Sequence, residues 1–322
     1  MTSQIGVGAL HCVLPDVRVP VGELPETELM TAEELAFVRG SGIDTVGEFA
    51  DEPVSALAAR AVRELLEAHP GPADLLLMVG SRAPDVLIGS DVSRVQAESG
   101  LRSAFAFSVD GLGCTGSSAA WGLARDLLIA DPGRQRVVIA HASRPAGLDR
   151  VRYPVTVIGD GAYAMTMTRG GRPVLRAHRM ETDGAFHDLF TIDYKKTPWY
   201  EWREHCAQPD RYRMELALHS RLRLSRMVDE VLAEAGIERG EVAATLMQNV
   251  TASAYQFYET LLGLPIHPLC RGHLAAYGHL GAMDVVLNLQ TLLAGDDVAE
   301  GDRVLVINNS PTAAWSVTLW EV

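Results

Sequence analysis

Short apolar runs alternate with amphipathic stretches along this chain, and that alternation restricts it to an α/β architecture. Residues 75–80 (LLLMVG), 104–109 (AFAFSV) and 137–142 (VVIAHA) read as strands, the first and last buried on both faces. Between and around them, apolar positions recur at helical spacing. In 54–68 they are Leu57, Ala58, Ala61, Val62, Leu65 and Leu66, with Pro53 at the start and His69-Pro70 as the stop. The second half repeats the order. A long helix is expected over 214–235, with Leu222, Leu224, Met227, Val228, Val231 and Leu232 among its apolar positions, then a strand at 243–247. A helix follows Gly278-His279-Leu280-Gly281, and strands at 304–308 and 314–320 close the chain. Two similar α/β halves follow from this order, over residues 1–170 and 171–322.

With 322 residues, 48% of them hydrophobic, such a chain can bury a large core. Its formal charge of -13 argues against a nucleic-acid-binding surface. No run approaches the roughly 20 apolar residues of a membrane span, and the first 20 residues do not read as a signal peptide, so a cytoplasmic protein is expected. The four cysteines, Cys12, Cys114, Cys206 and Cys270, have no CxxC spacing, which favours reduced thiols over a disulfide framework or a zinc site; no metal site is expected.

Cys114 has a distinctive setting. It follows a strand, lies in Gly111-Leu112-Gly113-Cys114-Thr115-Gly116-Ser117-Ser118, and leads into an apolar helix. Glycines permit a tight turn and the close approach of a substrate. The N–H groups and dipole at a helix start stabilise a thiolate and could also hold an oxyanion. A buried cap cysteine is the alternative, since free cysteine is among the most buried residue types.

A thiol nucleophile needs a base. In Gly278-His279-Leu280-Gly281, His279 sits on a glycine-flanked turn before an apolar helix, where loops present functional groups. Asp284, five residues on, could accept the Nδ1 proton and stabilise the charged ring; as a helix-start carboxylate it could equally serve the dipole. His273 reads as structural. Tyr153, Trp199, Trp202 and His205 could line a cavity, with core packing the commoner role for such residues, and Tyr194-Lys195-Lys196 reads as solvated surface.

In this order, the segments resemble the ketoacyl synthase III branch of the thiolase superfamily. Residues 104–116 resemble the nucleophile segment. Ile158-Gly159-Asp160-Gly161-Ala162 is similar to the family's GDGA segment, and Asp183-Gly184 to the loop opening the second half. Met247-Gln248-Asn249 and Tyr277-Gly278-His279 fall where the family has Pro-His-Gln-Ala-Asn and Gly-Asn. The resemblance implies a layered α-β-α-β-α core, a homodimer, and acyl thioesters of coenzyme A or of acyl carrier protein as substrates rather than a bound cofactor.

Condensing members use Cys, His and Asn, the last two holding a malonyl thioester as it loses carbon dioxide. Here Gln248 and His279 stand at those positions, and Gln cannot act as a base. The displaced set Cys114–His279–Asp284 is instead similar to acyltransferases and starter-unit enzymes of bacterial secondary metabolism, including antibiotic and polyketide pathways. Such a set suits attack by a small-molecule oxygen, nitrogen or sulfur acceptor. Gln248, Asn249 and Thr312 are the expected substrate-binding residues. Pro311 lacks an N–H where the family's glycine-rich loop donates one to the oxyanion, which leaves the Cys114 N–H with a neighbour such as Thr312. The Trp and Arg that typical members use on coenzyme A are not evident around Ser41-Gly42-Ile43-Asp44, which favours a carrier-protein-bound or unusual donor. Three readings stand: acyltransferase, decarboxylating condensing enzyme, and non-catalytic partner of a homologous synthase.

Overall fold

The computed structural model describes residues 4–322. Nine strands make its main sheet: β1 (Ile5–Val13), β2 (Leu75–Val79), β3 (Phe105–Val109), β4 (Arg136–Ser143), β5 (Gly161–Arg169), β6 (Val174–Thr182), β7 (Val242–Met247), β8 (Arg303–Ser310) and β9 (Ala314–Glu321). Their spatial order is β7-β8-β9-β6-β1-β5-β4-β2-β3. Each wing follows one plan. β2 pairs parallel with β4, which turns back into antiparallel β5; β7 pairs parallel with β8, which turns back into antiparallel β9. The wings meet through β1 and β6 at one residue pair, Gly6 opposite Val174.

Helices cover and separate the wings. α1 (Val54–Ala68) packs on β4, β5 and β1, and α2 (Asp91–Glu98) on β3 and β2. α3 (Gly116–Ala130) touches β4, β5 and β2 on one side and β9 and β6 on the other. α4 (Ala217–Ala235) covers β9 and β6, and α5 (Ala252–Leu262) packs against α4. α6 (Pro268–Tyr277) leads to α7 (Asp284–Ala294), which lies between β7 and β1. The result is the expected α-β-α-β-α layering. β2 is buried along its whole length because helices cover both its faces. In the central layer, Trp121 of α3 meets Trp320 of β9 edge-on at 5.3 Å, tying the helix to the second wing.

Local chemistry sets the boundaries. His69, before Pro70, leaves helical geometry (φ -131°, ψ 69°) and ends α1 where the sequence places the stop. Gly236 ends α4 in the left-handed conformation (φ 69°). The helix expected over 214–235 is present and starts earlier: the run is helical from Pro209, widens into a π turn over Tyr212–Leu216, and continues as regular α4 from Ala217. Leu222 also differs from the expectation of an apolar face, being exposed rather than packed. The π turn matters for function, because Tyr212, Arg213, Leu216 and Ala217 all border a cavity beside Cys114. Among the described residues, no helix is long and apolar enough to cross a membrane.

Candidate active site

Cys114 sits on a single 3-10 turn, Gly113–Thr115, between the end of β3 and the first residue of α3. Gly113 takes φ 52°, a conformation that strains residues with a Cβ, and an added Cβ would run into Ser310 Oγ. From the other wing, Asn308 Nδ2 donates to the Cys114 carbonyl oxygen at 2.8 Å and fixes the turn from behind.

His279 arrives from the α6–α7 loop. Its main chain is fastened beside the segment before β5: His279 N donates to Val157 O at 2.9 Å, and Gly159 N donates to His279 O at 3.0 Å. This holds the ring with Nε2 3.0 Å from Cys114 Sγ. His279 Nδ1 donates to Asp284 Oδ2 at 2.5 Å. Asp284 Oδ1 accepts from Leu280 N at 2.7 Å, and Oδ2 also accepts from Asn249 N at 2.9 Å. Imidazole and carboxylate are both buried, with side-chain exposures of 1% and 0%. Held by several donors, the Asp284 carboxylate keeps the ring in one orientation.

The electrostatics follow from these contacts. Burial alone pushes a thiol up, as it does for Cys12, Cys206 and Cys270. Burial pushes Cys114 up too, yet its thiol is pulled below the ordinary range, chiefly by the charge and hydrogen bond of His279, with help from Arg82 and Arg152. Burial pushes His279 down, but the charges of Cys114 and Asp284 outweigh it and raise the ring to about 9. Both shifts run in the direction that favours a thiolate–imidazolium pair.

Two cavities meet at the sulfur. The first, about 620 Å³, is bordered by Arg82, His141, Arg152, Glu204, Gly281 and Thr312 among others. The second, about 410 Å³, is bordered by His279, Gln248, Arg213, Tyr258, Asn309 and Pro311 among others. Cys114 belongs to both, and His279 borders only the second.

The sequence-predicted residues divide accordingly. Cys114, His279 and Asp284 come together as expected. Gln248 borders the second cavity with its Nε2 turned to Asn309. Thr312 borders the first, but its N–H already donates to Ser310 Oγ at 3.3 Å. Asn249 is a correction: it borders neither cavity. Its Oδ1 accepts from Tyr255 Oη and Asn288 Nδ2, its main-chain N–H donates to Asp284 Oδ2, and it is fully buried, so its contacts are with the wall behind the site. His273 bonds Asn288 at 2.6 Å, in keeping with a structural role. Asp160 of the GDGA segment is structural as well, buried against Arg150 at 2.7 Å and Arg144 at 3.3 Å. Trp202 and Tyr194 border the first cavity, whereas Trp199 is exposed and belongs to neither core nor cavity.

Sequence reasoning missed Arg82, His141, Arg152 and Glu204. Arg82 follows a strand end at Gly80-Ser81, a position that could have drawn notice. Nothing in the sequence joins it to residues 70 and 122 positions away. Among the described residues, no group of three His, Cys, Asp or Glu is placed to hold a metal ion.

No protein-family model matches the chain. Among curated proteins it is 26% identical over 278 residues to a beta-ketoacyl-[acyl-carrier-protein] synthase III of Erythrobacter litoralis, covering 84% of each chain. It is 28% identical over 329 residues to the Cereibacter sphaeroides protein of that name, covering 98% of each. Among solved structures it overlays the 3-oxoacyl-(acyl carrier protein) synthase III of Pseudomonas aeruginosa PAO1 with a TM-score of 0.81 at 18% identity, covering 99% of this chain and 98% of that one. The acyltransferase ChlB3 overlays with a TM-score of 0.83 at 22% identity and the same coverage. Layered wings with a thiol at the start of the central helix define a protein of the thiolase fold. In sequence the chain is similar to beta-ketoacyl-[acyl-carrier-protein] synthase III proteins, and in fold to solved structures of that name.

Proposed function

We infer that the protein is an acyltransferase. Cys114 takes an acyl group from a thioester of acyl carrier protein or coenzyme A and passes it to an oxygen, nitrogen or sulfur acceptor. The observation that carries this reading is the Cys114–His279–Asp284 line, with spacings of 3.0 and 2.5 Å. A charged imidazole can protonate the departing donor thiol, and once neutral it can deprotonate an acceptor.

The two cavities support a division of parts in this reading. A leaving thiol must meet His279, and His279 borders the second cavity alone, so the donor arm lies there. The acceptor needs the same base and follows the arm into the same space. The acyl chain, on the far side of the carbonyl, extends into the first cavity. This alternation is ping-pong chemistry in a cytoplasmic homodimer, and the displaced triad favours secondary metabolism as its setting.

A second reading, decarboxylating condensation, is favoured by the names of the curated relatives. It is weakened by Gln248, which offers no base and whose amide is engaged with Asn309.

The test is intact-protein mass spectrometry after exposure to a panel of acyl thioesters, followed by candidate acceptors. An acyl adduct lost in Cys114→Ala and discharged by a heteroatom acceptor is expected. Carbon dioxide release with carbon–carbon bond formation from a malonyl thioester would transfer the assignment to the second reading. Absence of any adduct would remove both.

A further inference from the structure

The wall of the first cavity carries more charge than an ordinary fatty acyl chain calls for. Arg82 approaches it from a loop and Arg152 from the short strand Val151–Arg152, with side-chain exposures of only 16% and 5%. One carboxylate serves both: Glu204 Oε2 accepts from Arg82 Nη1 at 3.3 Å, and Oε1 accepts from Arg152 Nη2. Arg152 is also held flat against Phe190, its guanidinium carbon 4.5 Å from the ring centre.

Each guanidinium has five N–H donors, and each here spends one on Glu204. Arg82 Nε and Arg152 Nε are buried with no partner, and Arg82 Nη2 and Arg152 Nη1 also have no acceptor among the described residues. Buried guanidinium donors left open are costly, and native proteins seldom keep them without a counterpart. A ligand anion is the natural counterpart, because a carboxylate matches the planar fork of arginine.

The cluster is also close to the reacting atom. Both arginines act electrostatically on the Cys114 thiol, and all of these side chains line one continuous cavity with it.

We propose that the acyl group carried by Cys114 bears a carboxylate, held by Arg82 and Arg152 in the first cavity: the donor is a thioester of a short dicarboxylic acid or of another carboxyl-bearing acid. This rests on the acyl-transfer reading and names its substrate class. In the loading step the Cys114 thiolate attacks the thioester carbonyl and forms a new carbon–sulfur bond. The bond to the donor sulfur breaks, and the departing thiolate takes the proton from His279 Nε2. The substrate carboxylate takes no part in bond-making; it anchors the chain and fixes the direction in which the carbonyl is presented.

The experiment compares shape-matched donors on the full-length protein. Succinyl and 4-methylpentanoyl thioesters of coenzyme A differ in charge but hardly in shape, as do malonyl and 3-methylbutanoyl. Loading rates on Cys114 are read by intact mass. The carboxylated member of each pair should load at least tenfold faster, and Arg152→Gln or Arg82→Gln should collapse that ratio toward one. Arg82→Lys, which keeps the charge and loses the fork, should retain part of it. Equal or faster loading of the neutral donors would overturn this proposal and leave acyl transfer standing. An unchanged ratio in folded arginine variants would make the cluster a clamp between loops and would equally overturn it. Failure of every donor would remove acyl transfer and this proposal together. If the glutamine variants do not fold, the wild-type ratio decides alone.

Discussion

The main-chain N–H of Asn249 donates to Asp284 Oδ2, the same atom that receives the proton-bearing Nδ1 of His279. With Leu280 N on the other oxygen, Asp284 accepts three hydrogen bonds in a fully buried position. Asp284→Asn keeps the size but removes the charge and turns one acceptor into a donor facing N–H groups. Removing one partner from a buried ion pair typically costs about 3–5 kcal/mol, and part of that should appear here as a lower denaturation midpoint. Without the anion the imidazolium loses its support, and Cys114 loses most of its thiolate. Alkylation of Cys114 by iodoacetamide at pH 7 should fall at least tenfold, read by intact mass.

The pH dependence follows from the two shifted groups. His279 is raised in the folded protein to about 9, from an ordinary value near 6.5. Its contribution to stability is therefore complete below the ordinary value and is lost as pH rises through about 9. Cys114 is depressed, so its contribution is present above the ordinary thiol value and is lost as pH falls through the depressed one. The ion pair occupies the interval between the depressed thiol value and about 9. Alkylation of Cys114 should hold a plateau within that interval, while Cys12, Cys206 and Cys270 remain slow. In His279→Ala the plateau should vanish, with the rate climbing only near or above about pH 8.5. A wild-type profile that rises only through the ordinary thiol range would refute the ion pair.

The parts legible in the sequence were those encoded locally. Strand 75–79 announces itself as an apolar run, the end of α1 is written in His69-Pro70, and Cys114 lies on a glycine turn whose only role is to be tight. The His279–Asp284 spacing also works locally, because five residues carry the chain from a loop into the first turn of α7. What failed was set by tertiary contact. The π turn at Tyr212–Leu216 has no local signature and serves the cavity wall. Asn249 was placed by its neighbours in sequence, but the strand end turns its side chain toward Tyr255 and Asn288. The Arg82–Glu204–Arg152 cluster joins three separate segments that only the folded chain brings together.

Asp160 tests whether the GDGA segment supports the fold or the chemistry. Its carboxylate is wholly buried, pairs with Arg150 and Arg144, and accepts from Phe49 N at 3.0 Å. None of these partners reaches Cys114. Asp160→Asn should therefore destabilise the protein by about 3 kcal/mol or more, leaving two guanidiniums without their anion. The folded fraction should alkylate Cys114 at an unchanged rate. Urea denaturation monitored alongside alkylation separates the two effects, and a large loss of reactivity in folded protein would give the segment a role in the site.

The last prediction concerns association. β3 is the outermost strand of its wing, and an open edge offers unpaired N–H and C=O groups to another chain. This edge is not blunted: Phe105 is 67% exposed, and Leu87 and Ile88 on the neighbouring loop are 73% and 101% exposed. Leu87 also borders the first cavity, so a second copy seated here would roof the acyl site. A two-fold contact is the commonest solution for such a surface. Sedimentation of the wild-type protein should give a dimer of the 34.8 kDa chain, and Phe105→Glu should shift it toward monomer. Because the edge and the cavity share the 81–90 loop, the monomeric variant should also load acyl groups on Cys114 several-fold more slowly, while its iodoacetamide reactivity stays within about twofold. A Phe105→Glu protein that remains dimeric would move the interface elsewhere on the surface.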